Sequence, residues 1–529
     1  MKRRTFIKSA APAIMIPSLI SGFGVKAFGS NKFLKKLARR AAANGRVFVV
    51  IELNGGNDGL NTVIPVDQYS NLSNARGNVL IPENKTLALN GTSKTKLHPA
   101  MSGMQTLFND KKLCIIQNVG YPDPNFSHFR SMDIWKSASN SNQNLTDGWL
   151  GRYLNEDYAG YPDNFPTPSM PDPLAVQIGS VVSLSLIGPN ATNMAMNVTD
   201  PDEFYALTNS IIDPAPNTPS GHELTFIRKV AQQTQTYLSV IKDASAAGSN
   251  LSTLYPAANE NNELAEALKI VARLIKGGLK TPLYYVGIGG FDTHAQQVDT
   301  TDTTKGAHAK LLTNVSKAMH AFVDDCEKLG ISDRVAGMTF SEFGRRVQSN
   351  FSLGTDHGAA APLFVFGKNV NPVIIGNNPV INSNTSVNDN VPMEYDFRQV
   401  YASVLQQWFQ LDDETTDNDV MLQNFDNLPI FKNNLNFLPT FKAERGLLMA
   451  QNYPNPVKDK CFIPINTPGG QISILLYDAM GRKIKNIFEG TMPSGEQDIL
   501  FNRESLPTGN YYYQMSYKNE RITKTMMIQ

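Results

Sequence analysis

The sequence predicts an α/β protein: a mainly parallel sheet covered by helices on both faces, followed by a small all-β sandwich. Three observations carry this. Between about residues 45 and 440, β-branched apolar runs alternate with stretches whose apolar residues recur at helical spacing. From residue 452 the pattern changes to short alternating runs separated by glycine and proline turns. At the join, Asn452-Tyr453-Pro454-Asn455-Pro456 places two prolines within three residues, a linker or turn signal.

The strands of the larger region are expected at Arg46–Leu53, Leu113–Asn118, Leu283–Ile288 and Val335–Phe340, with shorter ones at Leu363–Phe366 and Val373–Ile375. These runs lack polar alternation, as strands buried on both faces do. Two helices stand out between them. One carries Leu264, Leu268, Val271 and Ile275 on a single face and ends at Gly277. The other carries Leu312, Val315, Met319, Phe322 and Cys326 and ends near Gly330. Such stripes are most simply core faces packed on a sheet. Residues 138–147, 209–220 and 377–391 are rich in Asn, Ser, Pro and Thr and read as surface loops. In the tail, strands are expected at Gln471–Tyr477, Lys483–Phe488, Asp498–Phe501, Tyr511–Tyr517 and Ile522–Ile528.

Composition narrows the function classes. The formal net charge of +1 points to no nucleic acid or acidic polymer. No apolar run after residue 30 approaches the roughly 20 residues needed to span a bilayer. The three cysteines, Cys114, Cys326 and Cys461, have no metal-type spacing and no even count for a disulfide framework. The N-terminus reads Met1-Lys2-Arg3-Arg4-Thr5-Phe6-Ile7-Lys8 and is followed by a modest apolar stretch, Ala10 to Phe23. This is the pattern of a signal peptide over residues 1–30, with a basic spacer over 31–44. The paired arginines resemble the twin-arginine export signal, which is read by a receptor and is not an anchor.

The chemistry gathers where predicted strands end. Arg46–Leu53 runs into Asn54-Gly55-Gly56-Asn57-Asp58-Gly59, Leu283–Ile288 into Gly289-Gly290-Phe291-Asp292-Thr293-His294, and Val335–Phe340 into Ser341-Glu342-Phe343-Gly344-Arg345-Arg346. In a parallel sheet these ends share one edge, where ligands of doubly wound proteins bind. Carboxylates brought together there repel one another unless a cation or proton intervenes. A fourth segment, Gly354-Thr355-Asp356-His357-Gly358, precedes the strand Leu363–Phe366. The expected metal ligands are therefore Asp58, Asp292, His294, Glu342, Asp356 and His357. These donors suit a divalent ion: zinc, magnesium, manganese or calcium. A fifth segment, Asn125-Phe126-Ser127-His128-Phe129-Arg130, offers a hydroxyl beside the site. Ser127, His128 and Arg345 are the expected catalytic residues. Ser127 also suits a helix N-cap, and the two roles are compatible. Arg130, Arg345 or Arg346 could bind an anionic group by paired hydrogen bonds.

Six ordered motifs over about residues 45–440 resemble an exported bacterial family known as domain of unknown function 1501: Gly55 to Asn61, Ser127 to Phe129, Asp147 to Arg152, Gly290 to His294, Ser341 to Arg345 and Gly354 to Gly358. That family resembles the alkaline phosphatase and sulfatase superfamily. The resemblance implies a first metal carboxylate at Asp58, a nucleophile near Ser127, a second ligand cluster at Asp292 and His294, a third at Glu342 and the last His at His357. It implies hydrolysis or transfer of phosphate and sulfate esters with one or two metals. The chain departs from the superfamily pattern in having Ser341-Glu342 where Asp-His is usual, and His294 two residues beyond Asp292 with Gln296 after it. A single calcium, magnesium or manganese ion is then easier to build than two zincs.

In the tail, Asn452-Tyr453-Pro454-Asn455-Pro456, Leu476 to Arg482 and Leu506 to Tyr511 resemble the C-terminal sorting domain of the type IX secretion system, here over 452–529 after a linker at 441–451. This implies the twin-arginine and type IX machineries as partners, with passage through the periplasm to the cell surface or medium. Three functions follow. One is an exported metal-dependent hydrolase of sulfate or phosphate esters, on small-molecule or polysaccharide substrates. Another is a noncatalytic surface protein on a degenerate hydrolase frame. The third is a serine esterase using Ser127 with His128 or His357.

Overall fold

The computed structural model describes residues 45–163, 165–167, 170–179, 181–199, 237–432, 448–449, 452, 455–467, 469–478, 480–492, 495–518 and 520–529. The expected leader, the basic spacer, the loop 209–220 and most of the linker lie outside the described residues. The chain divides into two compact units, Met1–Asn436 and Phe437–Gln529.

The first unit is built on a nine-stranded sheet. Its strands are β1 (Val47–Leu53), β2 (Leu113–Gly120), β3 (Ala175–Ile178), β4 (Ala195–Val198), β5 (Leu283–Ile288), β6 (Val335–Phe340), β7 (Ala361–Gly367), β8 (Ile374–Ile375) and β9 (Tyr395–Asp396). The spatial order is β8-β2-β7-β6-β1-β5-β3-β4, with β9 also paired to β2. β1 runs parallel to β5 and β6, β5 parallel to β3, β3 parallel to β4, and β2 parallel to β8 and β9. β7 runs antiparallel to both β6 and β2. The sheet is thus mainly parallel, as expected, with one reversed strand. The reversal goes with the lack of a crossover helix, the usual means of joining parallel strands. Between β6 and β7 the chain instead forms a tight hairpin, Arg345–Ser349 with Thr355–His357.

Residue alternation sends the strand side chains into two cores. From β1, Phe48 and Val50 enter one core, with Trp135, Trp149 and Tyr401. Val47, Val49, Ile51 and Leu53 enter the other, with the two expected helical stripes. Those stripes lie on α-helices Glu263–Lys276 and Ala307–Lys328. Every residue of β1 is buried, and burial of each such aliphatic side chain contributes roughly 1.5–3 kcal/mol. Helices therefore cover both faces. The short strands β3, β4 and β9 were not evident from the sequence, because two to four residues of mixed polarity carry no clear period.

The second unit has a three-stranded and a four-stranded sheet. The first joins Leu448–Met449, Lys460–Thr467 and Gly495–Asn502; the second joins Gly470–Tyr477, Lys483–Met492, Gly509–Tyr517 and Glu520–Ile528. All pairs are antiparallel. Both sheets contribute to one core: Cys461, Ile463 and Phe501 from one, Ile472, Ile474, Tyr513 and Met515 from the other. This is the expected β-sandwich, with Leu448–Met449 and Lys460–Thr467 as additional strands.

Candidate metal centre

The topology brings five distant segments to one edge. β1, β2, β5 and β6 run in the same direction, so their C-terminal ends lie together. Because β7 is reversed, its N-terminal end lies there too, preceded by Thr355–His357. The glycines after β1 let the backbone fold close to its neighbours. Gly55 has φ +125°, and a Cβ there would stand 2.3 Å from the Asp292 backbone nitrogen.

Three imidazoles and one carboxylate meet at this edge. His357 Nε2 lies 2.8 Å from His294 Nε2, and both lie 3.2 Å from Asp292 Oδ1. His128 Nε2 lies 3.4 Å from Asp292 Oδ2. Ligand atoms of His128, Asp292 and His357 all fall within 4.8 Å of one another, a spacing that could hold a metal ion. The rings pack around the buried Phe343, 4.4 Å from His357 and 5.0 Å from His128 between centroids.

The second nitrogen of each ring meets an oxygen. His357 Nδ1 lies 2.7 Å from the Phe126 carbonyl oxygen, which can only accept. His294 Nδ1 lies 3.1 Å from Asp356 Oδ1, and His128 Nδ1 lies 2.8 Å from Glu342 Oε1. Each Nδ1 thus faces an oxygen acceptor to which it can donate, and each Nε2 faces Asp292. The Nε2 atoms of His294 and His357 face each other, and both face the Asp292 carboxylate. Burial keeps the His357 pKa below its usual value, although its bonds to Phe126 and Asp292 oppose this. Burial alone would raise the Asp292 pKa, but hydrogen bonds from Arg345 and His357 bring it down to about 2. The arrangement gathers side chains that could hold a metal ion. Glu342, Asp356 and the Phe126 carbonyl stand behind it, as outer partners of metal-bound imidazoles do.

Of the nine expected site residues, Asp292, His294 and His357 lie in the donor set itself. His128, expected to act in catalysis, joins them. Glu342 stands one step out: fully buried, it accepts the Gly55 N–H at 2.9 Å and the Ser341 hydroxyl at 3.2 Å besides holding His128. Asp356 likewise holds His294 and is tied to Asn350 Nδ2 at 3.0 Å. The donors that meet are thus rich in nitrogen, where the sequence pointed to oxygen.

Asp58 is corrected most. It is fully buried and paired with Arg76 Nη1 at 2.8 and 2.9 Å, and it accepts Gln297 Nε2 at 2.6 Å. Burial pushes its pKa up, but Arg76 and His308 outweigh this and hold it below the ordinary value. Its charge is already satisfied. Arg345 is fully buried behind Asp292. It donates to the carbonyls of Gly55, Gly56, Phe291 and Thr355 and to Asp292 Oδ1 at 2.9 Å, so it holds the site's loops together. Ser127 occupies the N-cap position of helix His128–Ser137 but makes no side-chain cap bond, and it is exposed. Arg76, Gln297 and His308 had no local sequence signal.

Residues 46–422 match a family described as Protein of unknown function (DUF1501). The chain belongs to this family. Residues 451–529 match the secretion system C-terminal sorting domain, which marks the DUF1501 chain for export to the cell surface or medium. Among the described residues no helix is long and apolar enough to cross a membrane. No curated protein matches this DUF1501 chain in sequence. Similar solved structures include a sulfatase from Pseudoalteromonas sp. (10% identity, 89% of this chain and 87% of that chain, TM-score 0.32). Another is a Vibrio parahaemolyticus protein in the alkaline phosphatase superfamily (11%, 86% and 91%, 0.31). A third is a Bacteroides thetaiotaomicron structure described under metabolism of multiple glycosaminoglycans (12%, 87% and 90%, 0.33). Likeness at this level identifies no activity.

Proposed function

We propose that this protein is an exported metal-dependent hydrolase of phosphate or sulfate esters, with one divalent ion held by His128, Asp292, His294 and His357. The observation that carries this reading is the convergence of three imidazole Nε2 atoms on the Asp292 carboxylate at the ligand-binding edge of the sheet. Imidazole-rich donors suit zinc, whereas calcium and magnesium take oxygen sets. Bound there, zinc would supply Lewis acidity toward ester oxygens.

The chain's own residues supply the rest. Glu342, Asp356 and the Phe126 carbonyl orient the imidazoles. Arg345 fixes Asp292. Ser127, exposed and one residue before His128, takes the role of nucleophile. Of the three arginines, Arg130 is spent on the carbonyls of Asn140, Ser141 and Gln143. Arg346 donates Nε to His357 O and Nη1 to Val387 O and Asn388 Oδ1. We assign its remaining nitrogen, Nη2, to the ester's anionic oxygens. A twin-arginine leader, which carries folded proteins, would let the ion be loaded before export.

The test is turnover of 4-nitrophenyl phosphate and 4-nitrophenyl sulfate by the full-length protein. Turnover of one of them is expected, lost on chelation and restored by zinc. Ser127→Ala is expected to lower kcat by about 100-fold or more while the ion stays bound. A zinc-loaded protein with no turnover of any ester would favour the noncatalytic surface-binding reading.

A further inference from the structure

Behind the donor set lies a buried polar network that the proposed reaction does not use. At its centre is Gln297, fully buried and three residues beyond His294. Its amide oxygen accepts two side-chain hydroxyls, Thr293 Oγ1 at 3.1 Å and Thr355 Oγ1 at 2.7 Å. Thr293 stands between Asp292 and His294, and Thr355 stands two residues before His357. One carbonyl oxygen, with its two lone pairs, thus bonds both ligand-bearing segments. The other end of the amide is fixed as well. Nε2 donates to Asp58 Oδ2 at 2.6 Å. An ionised carboxylate can only accept, so the amide oxygen is the end that faces the threonines. Asp58 is held in turn by Arg76, which also donates to the carbonyls of Arg346 at 2.6 Å and Val347 at 2.9 Å. The Gln297 backbone is pinned too: its N–H donates to Leu353 O, and its carbonyl accepts the His308 N–H.

Between Thr293 and Thr355 themselves the backbone makes one bond, Thr355 N–H to Thr293 O, at 3.2 Å. The Gln297 oxygen adds the two side-chain bonds that hold the pair in register. Both threonines are buried. A hydroxyl deprived of that oxygen becomes a buried donor without a partner, which is costly, so the two segments would shift to regain one. His294 and His357 stand only 2.8 Å apart between Nε2 atoms. A small shift of either segment therefore opens the imidazole pair.

We infer that Gln297 is a positioning residue, which holds His294 and His357 together as a donor pair by clamping Thr293 to Thr355. This rests on the metal reading only for the ion; the ring contact is independent of it. The test uses the full-length protein with labelled histidines in a deuterated background. The ring centroids of His294 and His357 are 4.5 Å apart, so a nuclear Overhauser contact between the rings is expected in the metal-free parent. Gln297→Met keeps the length of the side chain and removes both polar ends. It should lose the contact and bind zinc about tenfold more weakly, the lower end of the usual effect of altering an outer partner. Thr293→Val/Thr355→Val, which keeps the branched shape of both threonines, should do the same. Adding Gln297→Met to that pair should cost little further zinc affinity, because both changes remove the same bonds. Asp325→Asn measures plain destabilisation. Asp325 lies toward the C-terminal end of helix Ala307–Lys328 and accepts the Leu251 and Ser252 N–H groups. That variant should leave the ring contact and the zinc affinity unchanged. Absence of the contact in the parent would overturn the inference. So would a parent-like contact in Gln297→Met, its loss in Asp325→Asn, or additive losses of zinc affinity in the combined variant. A parent whose ring contact depends on Gln297 but which never binds zinc would sink the metal reading and leave the clamp standing.

Discussion

Replacing Asp58 with Ala will destabilise the folded protein by about 3–5 kcal/mol, because it strands the fully buried Arg76 guanidinium without its carboxylate. Urea unfolding of the purified variant reads this directly. The ion should still bind to the folded fraction, since Asp58 faces Arg76 and Gln297. The pair also has a pH signature. The folded-state pKa of Asp58 lies below the ordinary carboxylate value of about 3.9. Its contribution is therefore complete above that pH and fades as acid carries the pH down through the folded value. The variant should lose that part of the acid dependence. A variant of normal stability that no longer binds the ion would make Asp58 a ligand and the present assignment wrong.

The second large effect concerns His357. It touches His294 and Asp292 within the set and receives its orientation from Phe126. His357→Ala removes the donor that links the others, and zinc binding should fall below detection in a calorimetric titration. Glu342→Gln is expected to weaken the same affinity by about 10–100-fold, the usual effect of altering an outer partner. Equal effects from both substitutions would mean that Glu342 is itself a ligand.

The edge that carries the site was legible because β1, β5 and β6 are long apolar runs, each ending in a glycine-containing turn with an acidic residue. Parallel strands make such ends meet. Asp292, His294 and His357 follow from that logic. What was hidden is register. Arg345 and Arg346 are neighbours of the same type, yet the hairpin turns Arg345 inward opposite His357 and leaves Arg346 part-exposed. Only the strand pairing decides which. The place of Asp58 was hidden for a similar reason: its partner Arg76 lies 18 residues away, and no local pattern marks an ion pair closed by tertiary packing. Glu342 and Asp356 carry the right chemistry but stand behind the imidazoles they orient. A carboxylate that binds an ion and one that holds the ion's ligand look alike in sequence.

The most direct measurement is the zinc content of the purified full-length protein after chelation and reloading near neutral pH, determined by mass spectrometry of the elements. One ion per chain is predicted, released on acidification as the imidazoles take up protons. A chain that retains no ion after reloading would contradict the convergence of His128, Asp292, His294 and His357 on which the proposed metal centre is built.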